Sequence, residues 1–294
     1  MASKTKARMN AYDEDKSMSL TIHRIVCYVV LTIFAILSLF FFYLMIINAT
    51  RNTVEIQRSF SLLPGKSLAI NFMSAVTDKT VLIGQGMLNS LIVAGSSALL
   101  SIYFSALTAY GIHVYNFRGK NFMFHFILLI MMIPSQISAV GFYHQMFAWG
   151  LTETFVPLIV PAIAAPTVFF FMKQYLESSL PIEIVEAARI DGSNEFRTFN
   201  EIILPILKPA LAVQAIFSFT SSWNNFFMPA LILSKDAMKT MPLWISQLRT
   251  IVNGQIDLGH VYMALTLSIL PVIIVYFCFS KFIVAGVTLG SVKG

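Results

Sequence analysis

The chain has 294 residues, of which 57% are apolar and 12% charged, and its mean hydropathy is +0.75. A soluble domain carries about 25% charged residues, so an ordinary soluble enzyme is excluded. The net charge of +6 and pI near 9.3 call for no nucleic acid, because topology signals and lipid headgroups account for them.

A helix needs about 20 mostly apolar residues to cross a bilayer, where only its own backbone can satisfy its polar groups. Six runs meet or approach that length: 25–47, 87–112, 122–143, 155–172, 209–233 and 261–280, none holding Asp, Glu, Lys or Arg. The third carries Pro134 and is otherwise read as one helix. Pro157, Pro161 and Pro166 predict a kinked or partly re-entrant fourth run, and the fifth is read as continuous. With the N-terminus inside, the inner flanks hold thirteen Lys and Arg against seven outside, which places both termini in the cytoplasm. The first run is longer than a signal-peptide core and no small-x-small cleavage pattern follows closely, so it reads as a retained helix. Cys27 and Cys278 fall inside spans as buried apolar thiols and imply no disulfide.

Catalytic and ion-coupling chemistry is not evident. Ionisable residues inside a membrane mark function, and the spans offer only His125, with His23, His113, His144 and His260 at span ends. Their spacing gives no metal-ligand pair one helical turn apart, so neither a metal nor a cofactor is expected. The string Gly65-Lys66-Ser67 resembles the end of a phosphate-binding loop, but Phe60 stands where that motif needs glycine, on an outward-facing segment. Energy for uphill transport would have to come from another subunit.

The segment from Lys173 to Lys208 is too long for a simple connector and is rich in charges and helix formers. Pro181 suits a first helical position, Glu183 and Glu186 favour the positive helix end, and Gly192 suits a left-handed stop. A second helix is predicted from Asn194 to Ile203, stopped by Pro205. Ala187 and Ala188 would let a partner surface approach closely.

Glu186-Ala187-Ala188, Asp191-Gly192 and Ile202-x-Leu204-Pro205 stand at the spacing of the EAA loop, and the chain resembles the permeases of ATP-binding cassette importers. Asn89-Ser90, Phe117-Arg118-Gly119, Trp223-Asn224-Asn225-Phe226 with Pro229, and the ending Ala285 to Gly294 are similar to the smaller permease of maltose-type carbohydrate importers. The resemblance implies an all-α integral membrane protein of six transmembrane helices with the type I importer permease fold. It divides the chain into a cytoplasmic tail (1–20), a first helix with its outer loop (21–70), a transmembrane domain (71–286) containing the EAA loop (177–209), and a C-terminal tail (287–294). It also implies a non-catalytic subunit of the bacterial cytoplasmic membrane that works by alternating access. Its expected partners are a homologous permease, a cytoplasmic ATPase dimer, an extracellular solute-binding protein, membrane lipid and a sugar. Glu186, Ala187, Ala188, Asp191, Gly192, Leu204 and Pro205 would couple it to the ATPase, the tail near Gly290 to Gly294 would reach the ATPase dimer, and the loop 234–257 would meet the binding protein. Glycerol phosphate or another solute is the alternative cargo, and a secondary transporter the rival reading.

Sugars are held by neutral polar side chains and aromatic faces. Gln136, Trp223, Asn224 and Asn225 are therefore taken as path residues, among a polar set that includes Gln214, Ser221 and Ser222. Ser97, Ser101, Ser105 and Ala109 recur every fourth residue, a small-residue face suited to close helix packing.

Overall fold

The computed structural model describes the backbone of residues 2–78, 81–248 and 257–291, and side chains within 21–78, 81–134, 136–248 and 257–282. Its regular elements are helical. The principal helices are α1 (Ala2–Ala49), α2 (Ile83–Val114), α3 (Lys120–Met131), α4 (Ser135–Ala148), α5 (Pro166–Ser179), α6 (Ile182–Ile190), α7 (Glu195–Ile206), α8 (Lys208–Trp223), α9 (Phe227–Ile232), α10 (Met241–Leu248) and α11 (Leu258–Ser291). Four stretches are long and apolar enough to cross a membrane, and six if each bent pair counts as one span.

Two runs expected to be continuous are broken. The third bends by 97° between α3 and α4. Proline donates no hydrogen bond and disfavours helix in the residue before it, and Pro134 is extended (φ −61°, ψ 126°), starting α4 afresh. The fifth run ends its first helix at Trp223 and resumes at Phe227. The fourth is kinked as its prolines predict: a 3₁₀ turn at Val160–Ile163 is followed by a break at Ala164 and Ala165 before α5 starts at Pro166.

The small-residue face of α2 repairs that broken span. Pro161 has no N–H to return to Leu158 in the 3₁₀ turn, and the Ser97 hydroxyl donates to the Leu158 carbonyl at 3.1 Å. Ser105 donates to the Ala165 carbonyl at 3.3 Å. The Ala165 carbonyl also accepts from the Phe169 N–H at 2.9 Å, so the hydroxyls of α2 supplement the backbone bonding of the broken span.

Around α2 lie two cores, the inner toward its Val114 end and the outer toward its Ile83 end. The inner one joins Ala106, Ala109, Tyr110 and Ile112 to Met172 and Leu176 of α5, Val185 of α6, and Phe199 and Ile203 of α7. The outer one joins Ala94 and Ala98 to Phe219 and Trp223 of α8, Trp244 of α10, and Met263 and Ala264 of α11. By contrast α1 is exposed over residues 21–42 and seats only its end, where the Asn71 amide donates to the carbonyls of Ala49 and Arg51 at 2.8 and 2.9 Å. Cys27 and Cys278 are free thiols on exposed helix faces, not buried as expected, because both helices turn those faces outward. Gly65 of the phosphate-loop-like string closes the turn after α1: its N–H donates to the Thr50 hydroxyl at 2.7 Å, and a side chain there would lie 2.6 Å from the Thr50 carbonyl oxygen.

Candidate coupling loop and polar cavity

Helix α6 starts one residue later than its sequence suggests, with Pro181 as its extended N-cap and Glu183 in its first turn. Val185 and Ala188 bury its inner face, while Ile182, Ile184, Glu186, Ala187 and Ile190 point away. Ala188 is therefore committed to the protein's own core, and of the alanine pair only Ala187 remains open to a partner. The helix ends in a Schellman turn: Ser193 N–H donates to the Ala188 carbonyl at 2.9 Å, Gly192 N–H to that of Arg189 at 3.0 Å, and Gly192 is left-handed at φ 79°.

Asn194 caps α7 by accepting from the Arg197 N–H at 2.8 Å. Pro205 does not stop this helix. A wide π turn over Thr198–Ile203 bonds the Leu204 N–H to the Phe199 carbonyl, five residues back, so the ladder resets. Pro205 then stands in the first turn of a new segment, where its missing N–H costs little. The chain bends by 81° between α7 and α8. Leu204 packs against the inner core and Pro205 is exposed.

Glu186 and Asp191 are exposed, and within the described residues their carboxylates make no hydrogen bond or ion pair. Beside them Ile190 is 86% exposed and Phe196 73%, an apolar pair flanking the glycine turn. Such a surface, two free acids around two bare hydrophobic side chains, fits a protein partner.

Sequence reasoning passed over the ionic knot holding this loop. The Arg189 Nε donates to Glu195 Oε1 at 2.7 Å, and the Tyr110 hydroxyl of α2 donates to Glu195 Oε2 at 2.8 Å. The Arg189 hydrogen bond holds the Glu195 carboxyl below the usual carboxylate range, and Glu195 in turn raises the Arg189 guanidinium. The Arg189 guanidinium also lies 5.4 Å from the Tyr115 ring centre. No spacing rule announces this knot, because Tyr110 lies 85 residues from its partner.

A cavity of about 420 Å³ opens between α2, the broken fourth span and α8. Ser97 and Ser101 face Thr167 and, from α8 onward, Gln214, Ser218, Ser221, Ser222 and Asn225. Gln214 is 6% exposed and its amide makes no hydrogen bond within the described residues. Of the four expected path residues only Asn225 lines this cavity. Trp223 is buried between α8 and α11, stacked on Phe219 at 5.7 Å, with its indole N–H donating to the Ser268 carbonyl at 3.1 Å. Asn224 ends α8 and is exposed, and Gln136 lies exposed on α4. Gln214, Ser221 and Ser222 belong to the polar set read from the sequence, and Ser218 joins them at the same helical spacing along one face.

At the start of the 234–257 loop, Glu153 adopts φ 62° and gathers the N–H groups of Ser234 and Lys235 at 2.9 and 3.1 Å, together with the Ser234 hydroxyl. Burial alone would raise its carboxyl, but these donors outweigh it and hold the group below its ordinary value. This fixes the start of the 234–257 loop, whose residues 249–256 lie outside the described residues, as do the side chains of the 287–294 tail. Among the described residues no cluster of His, Cys, Asp or Glu suits a metal ion.

Comparison with known proteins places this arrangement. Residues 101–289 match the family model described as binding-protein-dependent transport system inner membrane component. The arabinooligosaccharides transport system permease protein AraQ of Halalkalibacterium halodurans is 37% identical over 206 residues, covering 70% of this chain and 73% of that protein. The trehalose/maltose transport system permease protein MalG of Thermococcus litoralis is 32% identical over 232 residues, covering 78% and 82%. The sn-glycerol-3-phosphate transport system permease protein UgpE of Yersinia pestis is 28% identical over 267 residues, covering 89% and 95%. In fold, the chain matches the crystal structure of a bacterial ABC transporter involved in the import of the acidic polysaccharide alginate, with a TM-score of 0.73 at 23% identity over 88% of this chain and 96% of that one. The helical architecture is that of a type I importer permease, and the chain belongs to the family of binding-protein-dependent transport system inner membrane components, as a permease of the carbohydrate ABC transporter kind.

Proposed function

We propose that this permease carries a neutral saccharide into a bacterial cell by alternating access, driven by separate cytoplasmic ATPase subunits. The observation that supports it best is the band of hydroxyl and amide groups on the cavity wall, set beside apolar Leu158, Val168 and Phe217, with Gln214 making no hydrogen bond among the described residues and no Asp, Glu, Lys or Arg among the lining residues. Saccharide hydroxyls both donate and accept, and such a wall offers both. Two of the relatives above are named for arabinooligosaccharides and for trehalose and maltose. A phosphate cargo, as in the name of the Yersinia pestis relative, would call for a cation that this wall lacks.

In this reading both termini face the cytoplasm, α6 docks in an ATPase cleft through Glu186, Ala187, Asp191 and Ile190, and the Asp191-Gly192 turn with Leu204 and Pro205 relays its movement. A homologous permease completes the path, with Asn225 and Gln214 on this subunit's side. A solute-binding protein docks on the 234–257 loop. The chain itself performs no catalysis. Rigid movement of a docked helix pair is an adequate lever for alternating access.

The test is uptake by proteoliposomes containing the complex isolated from native membranes, with its binding protein and internal ATP. Labelled maltose, trehalose, arabinooligosaccharides and glycerol 3-phosphate are offered in turn. The expected result is ATP-dependent uptake of a saccharide, lowered by Gln214→Leu; uptake of glycerol 3-phosphate alone would overturn the reading.

A further inference from the structure

Three elements meet on one carboxylate at the inner end of the molecule. Glu195 opens α7, its Oε1 accepts from Arg189 in the last turn of α6, and its Oε2 accepts from Tyr110 near the end of α2. Tyr110 is 3% exposed, and its ring lies 5.5 Å from that of Phe199, itself 1% exposed. A second contact runs parallel: the Tyr103 hydroxyl donates to Asn200 Oδ1 at 3.3 Å, and the Tyr103 ring meets Phe199 edge-on at 5.7 Å. The π turn begins at Thr198, so both contacts seat the wide turn against α2.

We propose that Glu195 is a positioning residue, the latch that makes α6, α7 and α2 move as one body when an ATPase pulls on the loop. The argument is geometric. On its outward face α6 exposes Glu186, Ala187 and Ile190, and its inner face is held by small apolar residues, Val185 and Ala188. Apolar packing of that kind resists separation but is not directional, so it lets one helix slide past another. A bidentate carboxylate with donors on two different helices fixes both direction and distance. Because α2 carries Ser97 and Ser101 of the cavity wall, a displacement of α6 transmitted through Glu195 reaches the cavity on a single rigid element. This inference rests on the reading of α6 as the ATPase-docking helix.

The test measures distances by double electron–electron resonance between labels on Thr108→Cys in α2 and Glu183→Cys in α6, in the complex isolated from native membranes. Cys27 and Cys278 are replaced by serine. A control pair, Glu183→Cys with Thr53→Cys at the outer side, reports whether ATP moves the loop at all. The expected result is that ATP changes the control distance while the α2 to α6 distance keeps its mean and width. With Glu195→Gln, or with Tyr110→Phe, which removes only one hydroxyl, ATP shifts or broadens the α2 to α6 distance. Solute uptake per ATP hydrolysed should fall roughly three- to tenfold, the scale on which substitutions along a coupling network act. The double variant should fall no further than either single one. An α2 to α6 distance that ATP alters already in the unchanged protein overturns the latch, as does one that stays fixed in both variants. Parallel loss of uptake and hydrolysis, with their ratio intact, would make Glu195 merely structural and also overturn it. If no ATPase accompanies the unchanged protein, or ATP leaves the control distance unmoved, the docking reading itself fails and takes the latch with it.

Discussion

The two ends of α2 are each tied to a loop through buried side chains of α2, to neutral partners at one end and to a charged, half-exposed carboxylate at the other. At the outer end the ties are neutral and buried. The Asn89 amide, 2% exposed, donates to the carbonyls of Ala237 and Lys239, both at 2.9 Å, and the Ser90 hydroxyl accepts from the Met241 N–H at 2.7 Å. Trp244 of α10, 2% exposed, fills the space behind them. At the inner end the buried Tyr110 hydroxyl donates to the Glu195 carboxylate, which is itself paired within the loop with Arg189, and the side chains of Arg189 and Glu195 are 38% and 45% exposed. A buried neutral hydrogen bond is expensive to lose because its partner is left dry and unpaired. An exposed ion pair is screened by water and adds little to stability, yet it keeps its direction. The outer junction is thus suited to holding the fold, and the inner one to transmitting a displacement.

Substitutions at the outer end should break the fold first. Trp244→Ala should cost about 3–5 kcal/mol, as large aromatic truncations do, seen as lost thermal stability of the detergent-solubilised protein. Asn89→Ala strands two carbonyls and should cost about 2–4 kcal/mol by the same measurement. Gly192→Ala places a side chain in the left-handed region and should cost about 1–2 kcal/mol, with coupling of hydrolysis to uptake impaired while membrane insertion persists. Tyr110→Phe should cost about 1 kcal/mol and show itself chiefly in coupling. If its thermal cost equalled that of Asn89→Ala, the contrast between the ends would dissolve.

The smallest effect is one of pH. The Glu195 carboxyl is held below its ordinary value by Arg189, so its contribution is present above the ordinary carboxylate range and is lost as pH falls through the lowered native value. The stability difference between the unchanged protein and Glu195→Gln should therefore shrink on acidification from neutrality to below pH ~4, and also in high salt. A difference that grew under either condition would assign the contact to something other than the ion pair.

Hydrophobic runs and the EAA spacing made the membrane class, the number of spans and the α6 turn legible in the sequence, because each depends on local pattern. Breaks at Pro134 and after Trp223 were harder to read. An apolar run has the same composition whether straight or folded back, and only the φ, ψ demands at Pro134 hint at the difference. Pro205 misled in the other direction, since a π turn upstream absorbed it. Of the residues expected on the path, Asn225 lines the cavity while Trp223 turns into the core, because an indole within a polar string looks available until its N–H is found on the Ser268 carbonyl. The Tyr110–Glu195 contact is long-range and no local pattern encodes it.

The most direct test of the account is affinity isolation of the tagged protein from its native membrane, with mass spectrometry of what accompanies it, repeated with Glu186→Lys. The account predicts a second permease and an ATPase beside the unchanged protein, and with Glu186→Lys the permease alone, because on the proposed reading the exposed acid of α6 would face the ATPase. Recovery of the protein by itself or as a stable homo-oligomer would contradict it.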